Sequence, residues 1–118
     1  MYYFKLVSLE GCPYSMASEE LFLNNKIKHE LVKVKQNDKI KYKTEKINTF
    51  PQIYLKKKYS NGSLLIGGYD DIKEYYDFIN STNQNSNVIN KFKDLVDKKI
   101  ENISEKSALR IAQLLISK

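Results

Sequence analysis

Cysteine occurs once in these 118 residues, histidine once and arginine once. A single cysteine excludes a disulfide within the chain, and with a single histidine it excludes a structural zinc site built from cysteine and histidine of one chain. No metal ligands are therefore expected, and any redox chemistry requires a thiol from a second molecule. The two prolines and four glycines are few enough to serve as landmarks. No stretch approaches the ~20 apolar residues of a membrane span. The first residues have none of the basic start, apolar centre and small-residue cleavage site of a signal peptide. A soluble cytoplasmic protein without a membrane partner is the expectation.

What is present fits a globular chain: 42% hydrophobic and 29% charged residues, in a length sufficient for one core. The net charge of +6 raises the question of nucleic acid. The excess is spread out, with 13 basic residues against 10 acidic ones up to residue 83 and 7 against 4 beyond it. Arginine, the residue best suited to bidentate phosphate and base contacts, is nearly missing. Nucleic acid is disfavoured as a partner. Abundant Lys, Asn and Ile are explained by the coding bias of an AT-rich genome, a viral one included.

Periodicity places the elements. Tyr2 to Leu9 reads as a strand and Met16 to Leu23 as a helix entered through Pro13, with Asn24-Asn25 ending it. His29 to Lys35 reads as a second strand, parallel to the first because a helix joins them, with His29 at the surface. Asn37 and Asp38 can cap a short lysine-rich helix over Lys39 to Lys46. A third strand begins at or just after Pro51, since proline is tolerated at a strand's start and not inside it. Asn61-Gly62 signals a tight hairpin into a fourth strand, Ser63 to Ile66, which Gly67-Gly68 ends. Asp70 and Asp71 open a helix over Ile72 to Ile79. Ser81 to Asn87 reads as a linker. Val88, Phe92, Val96 and Ile103 then recur at helical spacing, and Ser104 can start a last helix through Leu115. The expectation is residues 1–83 as one domain and 84–118 as an extension of one or two amphipathic helices.

Cys12 falls where the first strand has ended and the first helix begins, and Pro13 suits the first helical turn because its missing N–H has no partner there anyway. Orphan N–H groups and the positive end of the helix dipole stabilise an anion at that point. For cysteine that anion is the thiolate, the nucleophilic form.

Three segments carry a resemblance: Gly11-Cys12-Pro13-Tyr14-Ser15, Thr49-Phe50-Pro51-Gln52-Ile53-Tyr54 and Ile66-Gly67-Gly68-Tyr69-Asp70-Asp71-Ile72. In this order and spacing the chain resembles the glutaredoxins over residues 2 to about 80. The resemblance implies a thioredoxin-like three-layer α/β/α sandwich on a four-stranded mixed sheet, followed here by the C-terminal helical extension. It implies a glutathione-disulfide oxidoreductase of cell redox homeostasis and electron transport, with glutathione as co-substrate and glutathionylated or thiol-containing proteins as partners. Cys12 resembles the nucleophile, Pro51 the cis-proline facing it, and Phe50 the residue whose backbone pairs with glutathione. Gly68, Tyr69, Asp70 and Asp71 resemble the site for the γ-glutamyl end, Tyr14 the aromatic beside the sulfur, and Pro13, Ser15 and Thr49 supporting positions.

Two departures qualify this. Where the family commonly has a basic residue three positions before the nucleophile, this chain has Leu9 followed by Glu10, so Lys43 or Lys46 would have to substitute. Where dithiol members carry a resolving cysteine, this chain has Ser15, which closes the two-cysteine route and leaves a monothiol one. The alternatives are a [2Fe–2S] carrier, a homodimer using two glutathiones because the cluster needs four thiolates, and a catalytically weak binding module. Otherwise a monomer is favoured.

Overall fold

Tyr2–Leu9 forms strand β1 and sends alternate side chains to opposite faces of a sheet. The computed structural model, which describes residues 1–81 and 87–116, builds that sheet from four strands. Strands β2 (His29–Val34), β3 (Gln52–Lys57) and β4 (Ser63–Gly67) complete it in the order β2-β1-β3-β4. Helix α1, Pro13–Asn24, connects β1 to a parallel β2. β3 runs antiparallel to β1, and β4 antiparallel to β3. The expected mixed four-stranded sheet is therefore present.

Residues paired across strands share a face. Phe4 opposite Leu55 and Leu6 opposite Ile53 give one apolar face, all four side chains buried. Phe22 of α1 packs its ring 5.7 Å from that of Phe4. His29 is drawn into the same cluster, edge-on to Phe22 at 5.0 Å and with Nδ1 2.7 Å from the Ile27 carbonyl oxygen, so it is half-buried rather than a surface residue. The other face carries Lys5 opposite Tyr54, Val7 opposite Gln52 and Tyr3 opposite Lys56.

Two local expectations change. The lysine-rich segment is a 3₁₀ helix at Gln36–Tyr42, not a helix over residues 39–46, and none of its residues is buried. Without an apolar stripe to seat, that sequence has nothing to stabilise α-helical turns. The hairpin after β3 turns at Tyr59, which takes φ +65°, and not at Asn61-Gly62, because Lys56 pairs with Ser63 and the Ser60 N–H closes a turn on the Lys57 carbonyl at 3.1 Å.

The described residues fall into two compact units, Met1–Ile72 and Lys73–Lys118. Helix α2, Tyr69–Ser81, begins in the first and continues into the second. There Tyr75, edge-on, and Phe78, tilted, pack against Phe92 of α3, Val88–Asp97, with ring centroids at 5.8 and 6.1 Å. The periodic run after Val88 is interrupted at Asn102, which takes φ +58°. Ser104 then caps α4, Glu105–Leu115, by accepting from the Ser107 N–H at 3.0 Å. Of the expected linker, residues 82–86 lie outside the described residues, while Ser81 closes α2 and Asn87 precedes α3. Among the described residues no helix is long and apolar enough to cross a membrane.

Candidate active site

Cys12 is the cap residue of α1, in extended backbone (φ −87°, ψ 120°), and Pro13 follows in the first turn. Its N–H donates to the Leu9 carbonyl at 3.1 Å and its own carbonyl accepts from the Met16 N–H at 3.0 Å. These bonds bind the loop to both β1 and the helix. The side chain remains partly exposed. Gly11 reverses the chain just before it at φ +77°, a conformation in which L side chains are strained.

Ser15 and Gln36 complete the support of this loop. The Ser15 side chain is wholly buried, and its Oγ accepts from the Leu9 N–H at 3.0 Å. That hydroxyl satisfies a backbone donor at the end of β1 which burial would otherwise leave at a cost. Gln36 donates from Nε2 to the Glu10 carbonyl at 2.7 Å. Neither tie carries a sequence signal, because each joins residues from separate elements by a single hydrogen bond.

The second segment faces the thiol. The Phe50–Pro51 peptide bond is cis, and the Cys12 thiol donates to the Phe50 carbonyl, Sγ to O 3.7 Å. Pro51 is buried and Thr49 exposed. Gln52 leaves the segment inward, donating from Nε2 to the Tyr42 carbonyl at 2.8 Å.

The third segment approaches from α2. A Cβ on Gly68 would lie 3.6 Å from the Pro51 carbonyl oxygen, an ordinary contact distance, so the backbones of the second and third segments lie side by side here. Gly67 stands at φ +138°, and a Cβ there would fall 2.1 Å from Asp71 Oδ2. Asp71 uses that oxygen to accept from the Gly68 N–H at 3.0 Å, and the Gly68 carbonyl accepts from the Ile72 N–H at 3.2 Å. Asp71 is thus the acid that caps α2, while Asp70 is exposed. Tyr14, 59% exposed, sits with its ring 6.3 Å from that of Tyr69 at a tilt of 39°.

The three segments therefore converge: Cys12 on Phe50, Pro51 on Gly68, Tyr14 on Tyr69. Of the candidate substitutes for a cation near the thiol, Lys43 and Lys46 are exposed and follow the 3₁₀ helix. Their backbone N–H groups bond locally, to the Ile40 carbonyl at 3.2 Å and to Thr44 Oγ1 at 3.2 Å respectively.

Comparison with known proteins bears on this arrangement. The family model for glutaredoxin matches residues 1–59. Cys12, Tyr14 and Thr49 to Pro51 lie inside that match and Gly68 to Asp71 beyond it. Among solved structures, glutaredoxin 1 from Francisella tularensis, crystallised with cacodylate, is similar with a TM-score of 0.52 and 22% identity, covering 67% of this chain and 96% of that one. Identity at that level speaks to the fold, which is the thioredoxin-like α/β arrangement. No curated protein matches the chain.

Proposed function

The chain belongs to the glutaredoxin family, whose members are thiol–disulfide oxidoreductases that use glutathione, and we propose that this member acts on glutathione mixed disulfides by a monothiol route through Cys12. The observation that carries the reading is Ser15. At the position of a resolving thiol stands a buried hydroxyl already bound to the Leu9 N–H, in a chain with one cysteine. No internal disulfide can form, so the second thiol must come from solution.

The chemistry balances without a further reagent. The Cys12 thiolate attacks the glutathione sulfur of the mixed disulfide. That S–S bond breaks, a new one joins Cys12 to glutathione, and the protein sulfur leaves as a thiolate that takes a proton. A second glutathione thiolate then attacks the glutathionyl sulfur, releasing glutathione disulfide and restoring the Cys12 thiolate. In net, one free glutathione and the mixed disulfide become the protein thiol and glutathione disulfide, with Cys12 returned unchanged.

Each flanking residue has a role in this reading. The Phe50 backbone beside Sγ pairs with the glutathione backbone in strand fashion. Tyr14 and Tyr69 flank the sulfur, and Pro13, Pro51 and Thr49 shape the loops that hold them. Because Asp71 already accepts from the Gly68 N–H, first-turn N–H groups of α2 take the γ-glutamyl carboxylate, and the exposed Asp70 takes the ammonium. Asp71 and Gly68 set that helix end in place. The redox domain is assigned to residues 1–83, which keeps α2 whole, and the helical extension to 84–118.

A [2Fe–2S] cluster does not fit the donor set of one chain, which offers one thiolate where four are required; no step is assigned to it.

Intact-mass measurement after oxidised glutathione tests the proposal. The protein gains one glutathionyl group, and Cys12→Ser gains none and loses all turnover of a glutathionylated peptide while melting at an unchanged temperature. Full turnover by Cys12→Ser would overturn it.

A further inference from the structure

The sheet face carrying Lys5 and Tyr54 holds a groove of about 260 Å3 that the proposed thiol chemistry does not use. Lys5 of β1, Lys56 of β3 and Lys41 of the 3₁₀ helix line it, together with Tyr42, Tyr54 and Gln52. Among the described residues no acidic one lines it. Lys5 and Lys56 occupy diagonal positions on one face of adjacent strands, since Lys5 lies opposite Tyr54 and Lys56 is two residues further along β3. Like charges so placed repel each other. The acids nearby lie at the margins. Asp38 holds Lys41 at 3.2 Å in an exposed ion pair, which contributes little in water, and Glu30 lies opposite Lys5 on the β2 side.

The floor of the groove is built. Gln52 is buried, and its amide is fixed at both ends, with Nε2 donating to the Tyr42 carbonyl at 2.8 Å and Oε1 accepting from the Tyr54 hydroxyl at 3.1 Å. Burial raises the Tyr54 phenol above its ordinary value. One side chain thus holds the backbone of one tyrosine and the ring of the other at the groove. The volume falls just below the ~300–1,000 Å3 typical of small-ligand sites, too small for a helix or a folded partner. Lysine ammonium groups act as point-charge phosphate binders.

We propose that this groove binds a small phosphorylated ligand carrying at least two negative charges, its phosphates on Lys5, Lys41 and Lys56 and its organic part against Tyr42 and Tyr54. The site is independent of the thiol chemistry, and either reading can fail alone.

Titration of the full chain with ADP, inorganic pyrophosphate and citrate at low salt, followed by calorimetry and by amide NMR shifts, tests it. ADP and pyrophosphate are expected to saturate, with shifts centred on Lys5 and on Gln52 to Lys56. ADP binding tighter than pyrophosphate supports the seating of the organic part on Tyr42 and Tyr54, and equal affinity overturns it. In Lys5→Gln/Lys56→Gln, affinity falls about tenfold or more, as expected when roughly 1.4 kcal/mol of contact is lost, while Cys12 glutathionylation is unchanged. Should the double variant fail to fold, Lys56→Gln alone carries the test with a smaller drop. The proposal is overturned by the absence of saturation up to about 10 mM, by citrate binding as tightly as pyrophosphate, or by an affinity the lysine substitutions leave unchanged. An oligonucleotide that binds far more tightly than ADP would also overturn the small-ligand assignment.

Discussion

Helix α1 and the 3₁₀ segment at Gln36–Tyr42 connect strands of the same sheet, and they use opposite strategies. α1 buries Ser15, Ser18 and Phe22. Two of those three are small polar residues whose hydroxyls are spent on backbone, Ser15 on the Leu9 N–H and Ser18 on the Tyr14 carbonyl at 2.9 Å. Small side chains let the helix sit close to β1, and the single large one, Phe22, closes the aromatic cluster with Phe4 and His29. The 3₁₀ segment buries none of its residues and leaves Ile40 76% exposed. The first connection holds Cys12 at its cap; the second buries nothing against the sheet.

That contrast makes measurable demands. Phe22→Ala should destabilise the protein by about 3–5 kcal/mol, since it empties a fully buried aromatic site against β1. Chemical denaturation followed by circular dichroism reads this directly, and a loss below about 1 kcal/mol would mean that α1 does not seal its face.

Ser15→Ala is expected to cost about 1–3 kcal/mol, the penalty for leaving the Leu9 N–H buried without its acceptor. Because the same bond anchors the loop before Cys12, the rate of Cys12 glutathionylation should fall with it. Wild-type stability and rate together would remove the distinction drawn for α1.

At the small end, Ile40→Ser should change stability by no more than about 0.5 kcal/mol, as an exposed side chain in a segment that buries nothing. A cost above about 1 kcal/mol would show that the 3₁₀ segment covers the sheet after all.

How far these features could be read from residues follows the range of the forces involved. Tyr2–Leu9 matches its expected bounds because an apolar run followed by glycine and proline is a local signal. The same holds for the cap at Ser104. Over Lys39 to Lys46 the local signal misleads: capping residues and helix-forming lysines are present, but no apolar stripe binds them to the sheet, and the segment closes as 3₁₀ turns. Asn61-Gly62 misleads for a related reason, since the register of β3 against β4 pairs Lys56 with Ser63 and centres the connection near Tyr59.

At the candidate site, the residues legible in advance are those whose chemistry is carried by one residue type: the thiol of Cys12, the proline at 51, the glycine at 68 that a neighbouring backbone approaches, the acids at 70 and 71. Gln36 and the buried bond of Ser15 were not legible, being glutamine and serine in no distinctive pattern. The division of labour between Asp71, which caps, and Asp70, which stays exposed, also had to be seen.

The sequence by itself determined that this protein has one thiol, that the thiol stands at a helix start, and that no internal partner exists for it, because these are facts of composition and local spacing. Only the tertiary structure decided what surrounds that thiol and what the other face of the sheet exposes. Cys12 meets Phe50 across 38 positions, and Lys5 joins Lys41 and Lys56 in one groove. Strand register and chain crossing bring such residues together, and both are settled by the burial of Phe4, Leu6, Phe22, Ile53 and Leu55 as a set.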